Sequence, residues 1–332
     1  MAKLTRRERR LLKRGDFVDK PIVPLKQEER KEHVVALRGY KSPFSRFYDK
    51  NVKRLMIIPI ILLVLSLGVI IFQVVTTGSF ISKGISLTGG QTITVTEPGL
   101  NAEQIESTLR GKFPKADINV RALSEYGTTN GIIVETTVDV SLDDVLGALR
   151  VWVPDVEEKY SVETIGANLG QGFFRQVLLA LLLAFVFMSI VIFLLFKTFW
   201  PSMAVIAAAL SDMIVCVAVI NLLGIKVSTA GIAALLMLIG YSVDTDILLT
   251  TRLLKAGKGD YLERTMSAMK TGLTMTVAAI AVVLIGMFVS QSDVLRQIFT
   301  ILFIGLIADI IFTYIQNVSL LWTYMEKKKL KK

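Results

Sequence analysis

Six long runs of apolar residues, separated by polar segments, set the organisation of this chain. They occupy residues 55–75, 176–196, 203–223, 230–249, 273–289 and 298–321. At 1.5 Å of rise per residue, about 20 residues form a helix that spans a hydrocarbon core of about 30 Å. The pattern predicts a polytopic α-helical membrane protein with six transmembrane helices. One precedes a long polar segment, and five follow it as a bundle over residues 176–322.

The polar segment, residues 76–175, has the short alternating pattern of a folded domain. Four stretches alternate apolar and polar residues as half-buried strands do, and Asn101 and Ser141 stand where side-chain caps begin helices. The strands are predicted at 91–96, 118–123, 131–138 and 160–165. The resulting order, β-α-β-β-α-β, is typical of an inserted α+β ferredoxin-like domain.

Charge predicts the orientation. The chain has 38 Lys and Arg residues and a net charge of +10, and its two tails, residues 1–54 and 323–332, are strongly basic. Cytoplasmic flanks of transmembrane helices carry an excess of Lys and Arg, so we expect both termini in the cytoplasm and an extracytoplasmic polar domain on the cell membrane. Basic flanks that face anionic lipid explain the charge, and we expect no nucleic-acid partner.

Four aspartates interrupt the apolar spans. Asp212 lies near the centre of the third span, Asp244 and Asp246 lie past the middle of the fourth, and Asp309 lies near the centre of the sixth. No lysine or arginine shares their depth, and desolvation favours the neutral form of such carboxyl groups. They are candidates for binding protons or Na⁺, the alternative being structural hydrogen bonds to Ser or Thr. Residues 244 and 246 lie about 200° apart on a helix, so we expect one of them to dominate.

Catalytic chemistry is not indicated. The polar domain contains no His, no Cys and no nucleophile motif, and the one cysteine, Cys216, lies inside an apolar run. We therefore expect no enzyme activity, no cofactor and no metal site.

Two motifs carry a resemblance to a known family. The first is Gly84-Ile85-Ser86-Leu87-Thr88-Gly89-Gly90, and the second is Gly240-Tyr241-Ser242-Val243-Asp244-Thr245-Asp246, followed by Arg252. With one span, an outer domain and five further spans, the chain resembles the SecF family of protein-export membrane proteins, in its archaeal branch. That family is similar to halves of resistance-nodulation-division transporters.

The motifs also depart from the family pattern. Ser86 replaces the acid that is usual in the first motif, so a charged role is not carried over to it. Thr245 stands where bacterial members have an acid, between Asp244 and Asp246. The resemblance therefore leaves open which aspartate has the ion-coupling role, while it marks the fourth span rather than Asp212 or Asp309.

The resemblance implies a SecF-like subunit that works with SecD beside the Sec translocon channel. The outer domain would engage exported polypeptides, while ion movement through the bundle drives their movement or release. Two alternatives stay open. One is a transporter half that moves a small amphiphile, and the other is a structural partner of SecD without ion coupling.

Overall fold

The computed structural model describes residues 43–114, 116–125, 128–137, 140–254, 261–290 and 292–330. Of the two predicted basic tails, residues 1–42 and 331–332 lie outside this part of the chain. Helices and strands are numbered below in chain order.

Two helices precede the polar domain: α1, Pro43–Leu55, and α2, Ile57–Thr77. Pro59 lies in the first turn of α2, where its missing N–H breaks no helical hydrogen bond. Gly78 ends the helix in the left-handed conformation, with φ 70°, and its N–H donates to the carbonyl of Val74 at 2.9 Å. Glycine takes this conformation without the Cβ clash of other residues.

Within the described residues, the polar domain has four strands and three short helices, preceded by one helical turn. In chain order they are α3 Ile85–Thr88, β1 Gly90–Val95, α4 Ala102–Lys112, β2 Ile118–Glu125, β3 Thr128–Thr136, α5 Leu142–Leu149, α6 Val156–Lys159 and β4 Tyr160–Ile165. The sheet has the order β2-β3-β1-β4, and every neighbouring pair is antiparallel. The short helix α6 is an element that the pattern did not predict.

Both predicted helix caps are confirmed. Asn101 Oδ1 accepts a hydrogen bond from Gln104 N at 3.2 Å, and Ser141 Oγ accepts one from Asp144 N at 3.2 Å. Apolar side chains of the strands and helices form one buried core. Its fully buried members include Ile93, Val95, Ile105, Leu109, Val145 and Leu149.

An ion pair joins the end of β1 to the start of the edge strand β4. Lys159 Nζ donates to Glu97 Oε2 at 2.7 Å. This hydrogen bond, with the charge of Glu97, raises the pKa of Lys159 above its ordinary value of 10.5. The pair contributes while the lysine is protonated, so any contribution to stability is lost as the pH rises through the raised pKa.

The membrane-length helices of the described chain confirm the predicted number, six. After the domain come α7 Ala167–Phe196, α8 Phe199–Leu222, α9 Thr229–Leu254, α10 Tyr261–Val289 and α11 Asp293–Ile311, which a π-helical turn, Phe312–Asn317, joins to α12 Val318–Leu330. With α2 they make the six spans. The predicted sixth span is therefore not one uniform helix, because a π-helical turn interrupts it.

Helices α8 and α9 form the centre of the bundle. Most side chains in their apolar parts are buried, whereas α2 and α7 expose most of theirs. Helix α9 contacts α8, α10 and α11, and α2 contacts α8. The buried core of the bundle is separate from that of the polar domain, and includes Val205, Cys216, Leu235, Leu238 and Ile301.

Helices α7 and α10 extend beyond the apolar runs that predict them. Helix α7 begins at Ala167 rather than at residue 176, and α10 begins at Tyr261 rather than at residue 273. An apolar run marks only the part of a helix that lipid would cover. Hydropathy therefore does not report the polar turns by which these helices continue.

Candidate functional site

The aspartates of the spans are divided between two environments. Asp212 on α8, Asp246 on α9 and Asp309 on α11 have no solvent exposure. Asp244, although only two positions from Asp246, is exposed. The structure thus brings three acids from three helices together and leaves the fourth on the surface of the bundle.

Helix α9 supplies one of the acids and two of the hydroxyl groups that contact them. Ser242, Thr245 and Asp246 have the three- and four-residue spacing that places side chains on one helix face, and all three are buried. The Ser242 hydroxyl donates to Asp212 Oδ2. Thr245 Oγ1 lies 3.1 and 3.0 Å from the two carboxyl oxygens of Asp309.

Thr313 bridges the other two acids. Its Oγ1 lies 2.9 Å from Asp246 Oδ1 and 2.9 Å from Asp309 Oδ1. Asn317 Nδ2 donates to the same Oδ1 of Asp246 at 2.7 Å. Thr245 Oγ1 also lies 2.8 Å from the carbonyl oxygen of Ser242, which connects the two sets of contacts. The resulting polar network, which we call the acid cluster, consists of the three carboxyl groups and the side chains of Ser242, Thr245, Thr313 and Asn317.

The number of protons available constrains the acid cluster. A hydroxyl carries one proton and can donate only one hydrogen bond along it. Thr313 therefore donates to Asp246 or to Asp309 but not to both. The second contact is a hydrogen bond only when that carboxyl group is itself protonated and donates to the Thr313 oxygen. Both contacts of the Thr313 hydroxyl are hydrogen bonds when Asp246 and Asp309 together hold at least one proton.

The π-helical turn positions Thr313 and Asn317. Residues four apart on an α-helix drift by about 40° around its axis, so Asp309, Thr313 and Asn317 would drift apart on a regular helix. A π-helical turn is wider, with i→i+5 hydrogen bonds, and it reduces this drift. As a result both Thr313 and Asn317 reach Asp246.

Among the residues that the structure describes, basic side chains do not neutralise the acid cluster. In the described part of the chain, none of the ion pairs involves Asp212, Asp246 or Asp309. Arg252 instead donates to the carbonyl of Ser267 at 3.0 Å and to Thr271 Oγ1 at 2.9 Å, both on α10. No group of three or more acidic, histidine or cysteine residues that could hold a metal ion occurs among the described residues.

Comparison with known proteins agrees with this architecture. The family described as protein export membrane protein SecD/SecF, C-terminal, matches residues 148–327. The protein-export membrane protein SecF of Pyrococcus furiosus is 36% identical over 289 residues, 87% of this chain and 96% of that protein. That of Methanocaldococcus jannaschii is 39% identical over 297 residues, 85% of this chain and 99% of that protein. The chain belongs to the SecD/SecF family.

Solved structures show that the chain has the SecDF fold. SecDF of Thermus thermophilus, a translocon-associated membrane protein, matches with a TM-score of 0.66 at 19% identity, over 96% of this chain. SecDF in a super-membrane-facing form matches with a TM-score of 0.57 at 20% identity, over 85% of this chain. The chain spans 41% and 39% of those two longer chains. The names of the SecF relatives indicate no catalytic activity.

The motif glycines of this SecD/SecF family member lie in two places. Gly84, Gly89 and Gly90 surround the one-turn helix α3, where the chain passes from α2 to the polar domain. Gly240 is exposed on α9, and a Cβ added there would meet no atom within 4 Å. Three residues of the second motif take part in the acid cluster: Ser242, Thr245 and Asp246.

Thr313 and Asn317 were not among the residues that the sequence analysis selected. The signal was available in their spacing, because Asp309, Thr313 and Asn317 are polar residues at intervals of four inside an apolar span. A polar stripe at this spacing indicates a buried face that contacts other polar groups.

Proposed function

We propose that this chain is a SecF subunit that acts with SecD at the Sec translocon channel and assists the movement or release of exported polypeptides. In this proposal, protons or Na⁺ that pass through the acid cluster supply the driving force. The observation that carries it is the burial of three carboxyl groups from three helices, bonded to hydroxyls and an amide and, among the described residues, to no basic side chain. Such groups inside a membrane bundle mark ion pathways.

The acid cluster supports a simple way to couple a proton to helix packing. Thr313 lies between Asp246 and Asp309, so a proton can pass between the two carboxyl groups through its hydroxyl. Loss of that proton leaves two buried carboxylates close together, which desolvation and repulsion disfavour. A new proton or a shift between α9 and α11 relieves this. Proton occupancy therefore biases how the two helices pack.

Aspartate-to-asparagine substitutions test the coupling. Asn keeps the size and hydrogen-bonding capacity of Asp but does not titrate. We expect Asp246→Asn and Asp309→Asn each to remove the gradient-dependent part of export of a reporter protein. Asp244→Asn, on the same helix but outside the acid cluster, is the matched control and should retain it, because its amide oxygen still accepts a hydrogen bond from a partner. This ranking differs from the sequence-based one, which placed the fourth span above Asp309.

The measurement is reporter export at several external pH values, with the amount of each variant in the membrane determined in parallel. Normal gradient dependence in Asp246→Asn and Asp309→Asn alike would contradict ion coupling. The acid cluster would then serve packing only, and the chain would be a structural partner of SecD.

The exposed face of α9 is suited to contact with a helix of a partner protein, which we assign to SecD. This face is made of Ala233, Met237, Gly240, Tyr241 and Asp244. A carboxyl group that faced lipid would be costly, and small residues such as Gly240 allow another helix to approach closely. A SecD helix on this face would provide a hydrogen-bond donor for Asp244.

Co-purification from native membranes checks this assignment. SecD should be recovered with the unaltered chain, and Gly240→Leu should reduce the recovery. Gly68→Leu is the matched control, because Gly68 is an exposed glycine of α2 that also has no atom near an added Cβ. Absence of SecD from the unaltered chain would exclude the partner, and equal recovery from both variants would exclude this face.

A further inference from the structure

The segment of residues 80–90, here the linking segment, connects α2 to the polar domain and contains the motif that begins at Gly84. It lies beside the loop between α8 and α9. Val227 N donates to Ser82 O at 2.7 Å, and Gly84 N donates to Val227 O at 2.8 Å, which forms a short parallel bridge. Asn221 Oδ1 accepts from Ser82 N at 3.1 Å. These bonds hold the linking segment against the end of α8 and the start of α9.

Ser86 extends this contact to the first turn of α9. Its Oγ accepts a hydrogen bond from Thr229 N at 3.1 Å. Ser228 Oγ accepts one from Gly231 N at 3.3 Å. The first four N–H groups of a helix have no partner within the helix. Ser86 therefore satisfies one of these donors of α9, although it is 143 positions away in the sequence.

The other end of the linking segment is fixed to α7 and to the sheet. Gly89 has φ 83°, and a Cβ added there would lie 2.4 Å from the Cα of Ala167. A Cβ added at Gly170 would lie 2.5 Å from Gly89 N. Gly90 begins β1 and pairs with Ile165, the last residue of β4. Both strands that connect the polar domain to membrane helices therefore meet at the linking segment.

We propose that Ser86 is a positioning residue that ties α9 to the polar domain, so that a displacement of α9 at the acid cluster reaches β1 through the linking segment. Asp246 follows Thr229 by 17 residues, about 25 Å along the helix. Because α9 is continuous between them, a tilt or axial shift at Asp246 is transmitted to its first turn. The inference rests on the proposed function, because Asp246 is where ion binding is proposed to act.

Amide hydrogen exchange of the full-length protein in lipid nanodiscs tests the contact itself. Ser86→Ala should speed exchange of residues 229–234 about fivefold, the effect of losing a hydrogen bond of ordinary strength. Ser86→Asp should restore protection, because a carboxylate accepts the same N–H and is favoured at a helix N-terminus. Ser161→Ala, at an exposed position of β4, is the control and should change nothing in α9.

Two results would overturn the role of Ser86. One is unchanged exchange of residues 229–234 in Ser86→Ala. The other is equal loss of protection in Ser86→Ala and Ser86→Asp, which would show that the size of the serine side chain matters and its hydrogen bond does not.

A double substitution tests the transmission. We expect Asp246→Asn to change the exchange rate of residues 80–95 by about twofold or more, the range of ordinary coupling energies. Ser86→Ala should remove that change. Two results would contradict transmission through Ser86. One is an unchanged exchange rate of residues 80–95 in Asp246→Asn, and the other is the same change in that rate with and without Ser86→Ala. Hydrogen exchange does not depend on export. The exchange results can therefore be interpreted even if the export assay contradicts the proposed function.

Discussion

Asp244 and Asp246 show how one residue position decides the surroundings of a side chain. They are separated by Thr245 on α9, and a rotation of about 200° between them places Asp246 in the interior and Asp244 on the surface. Thr245, which stands where bacterial relatives are expected to have an acid, contacts the carboxyl group of Asp309. In this chain the acid of that helix face is one position further along, at Asp246.

Thr313 is the residue at which we expect the loss of one side-chain oxygen to have the largest effect on export. Thr313→Val keeps the shape of the side chain but removes the hydroxyl that bridges Asp246 and Asp309. We expect the gradient-dependent part of export to be lost, and stability to fall by about 1–3 kcal/mol because buried carboxyl oxygens lose a partner. Thr313→Ser, which keeps the hydroxyl, should retain both.

The measurements for Thr313 are reporter export at several pH values and thermal unfolding of the purified protein. If Thr313→Val loses stability but exports with normal gradient dependence, Thr313 stabilises the bundle and carries no proton. Loss of gradient-dependent export in both Thr313→Val and Thr313→Ser would also contradict a role for the hydroxyl.

Among the elements, the π-helical turn Phe312–Asn317 is the one that connects packing to chemistry. It begins three residues after Asp309 and supplies two side chains that contact Asp246, those of Thr313 and Asn317. π-Helical turns occur frequently at functional sites, because they re-aim side chains within an otherwise regular helix. The sixth span therefore presents three polar groups toward α9 without leaving the helical backbone.

The contact between the linking segment and α7 gives a matched pair of substitutions. A Cβ at Gly170 would lie 2.5 Å from a main-chain nitrogen, whereas one at Gly172 would meet no atom within 4 Å. We expect Gly170→Ala to destabilise the protein by about 1–3 kcal/mol through overpacking. Gly172→Ala should be neutral or stabilising by up to about 1 kcal/mol, because alanine favours a helix.

Thermal unfolding in detergent compares the two variants. Equal melting temperatures for Gly170→Ala and Gly172→Ala would show that α7 can move away from the linking segment at little cost. In that case the backbone contact at Gly89 would not fix the polar domain on α7.

For the molecule as a whole, the basic tails predict which side of the membrane each part occupies. Ser161 on β4 and Lys328 on α12 are both exposed. A cysteine at residue 161 should react with a membrane-impermeant reagent in intact cells, and one at residue 328 should react only after lysis. Cys216 is buried and can be replaced by serine to give a background without thiols. Reversed labelling would exclude cytoplasmic termini.

Local pattern determined the elements of this protein. Apolar runs predicted six membrane-length helices, and alternation with capping residues predicted the order of the four strands and the two capped helices in the polar domain, because both signals depend on neighbours in the sequence. Composition and motif together indicated the family, which the comparisons confirmed. The rotation along α9 also predicted that Asp244 and Asp246 face opposite ways.

Only the tertiary structure decided which acids meet. Asp212, Asp246 and Asp309 come from helices far apart in the sequence, and their shared burial depends on how α8, α9 and α11 pack. The interruption of the sixth span by a π-helical turn, and the reach of Ser86 to the first turn of α9, also depend on long-range contacts. Hydropathy and local spacing do not predict such contacts. They depend neither on the rotation of a helix against its partners nor on the hydrogen bonds between distant segments.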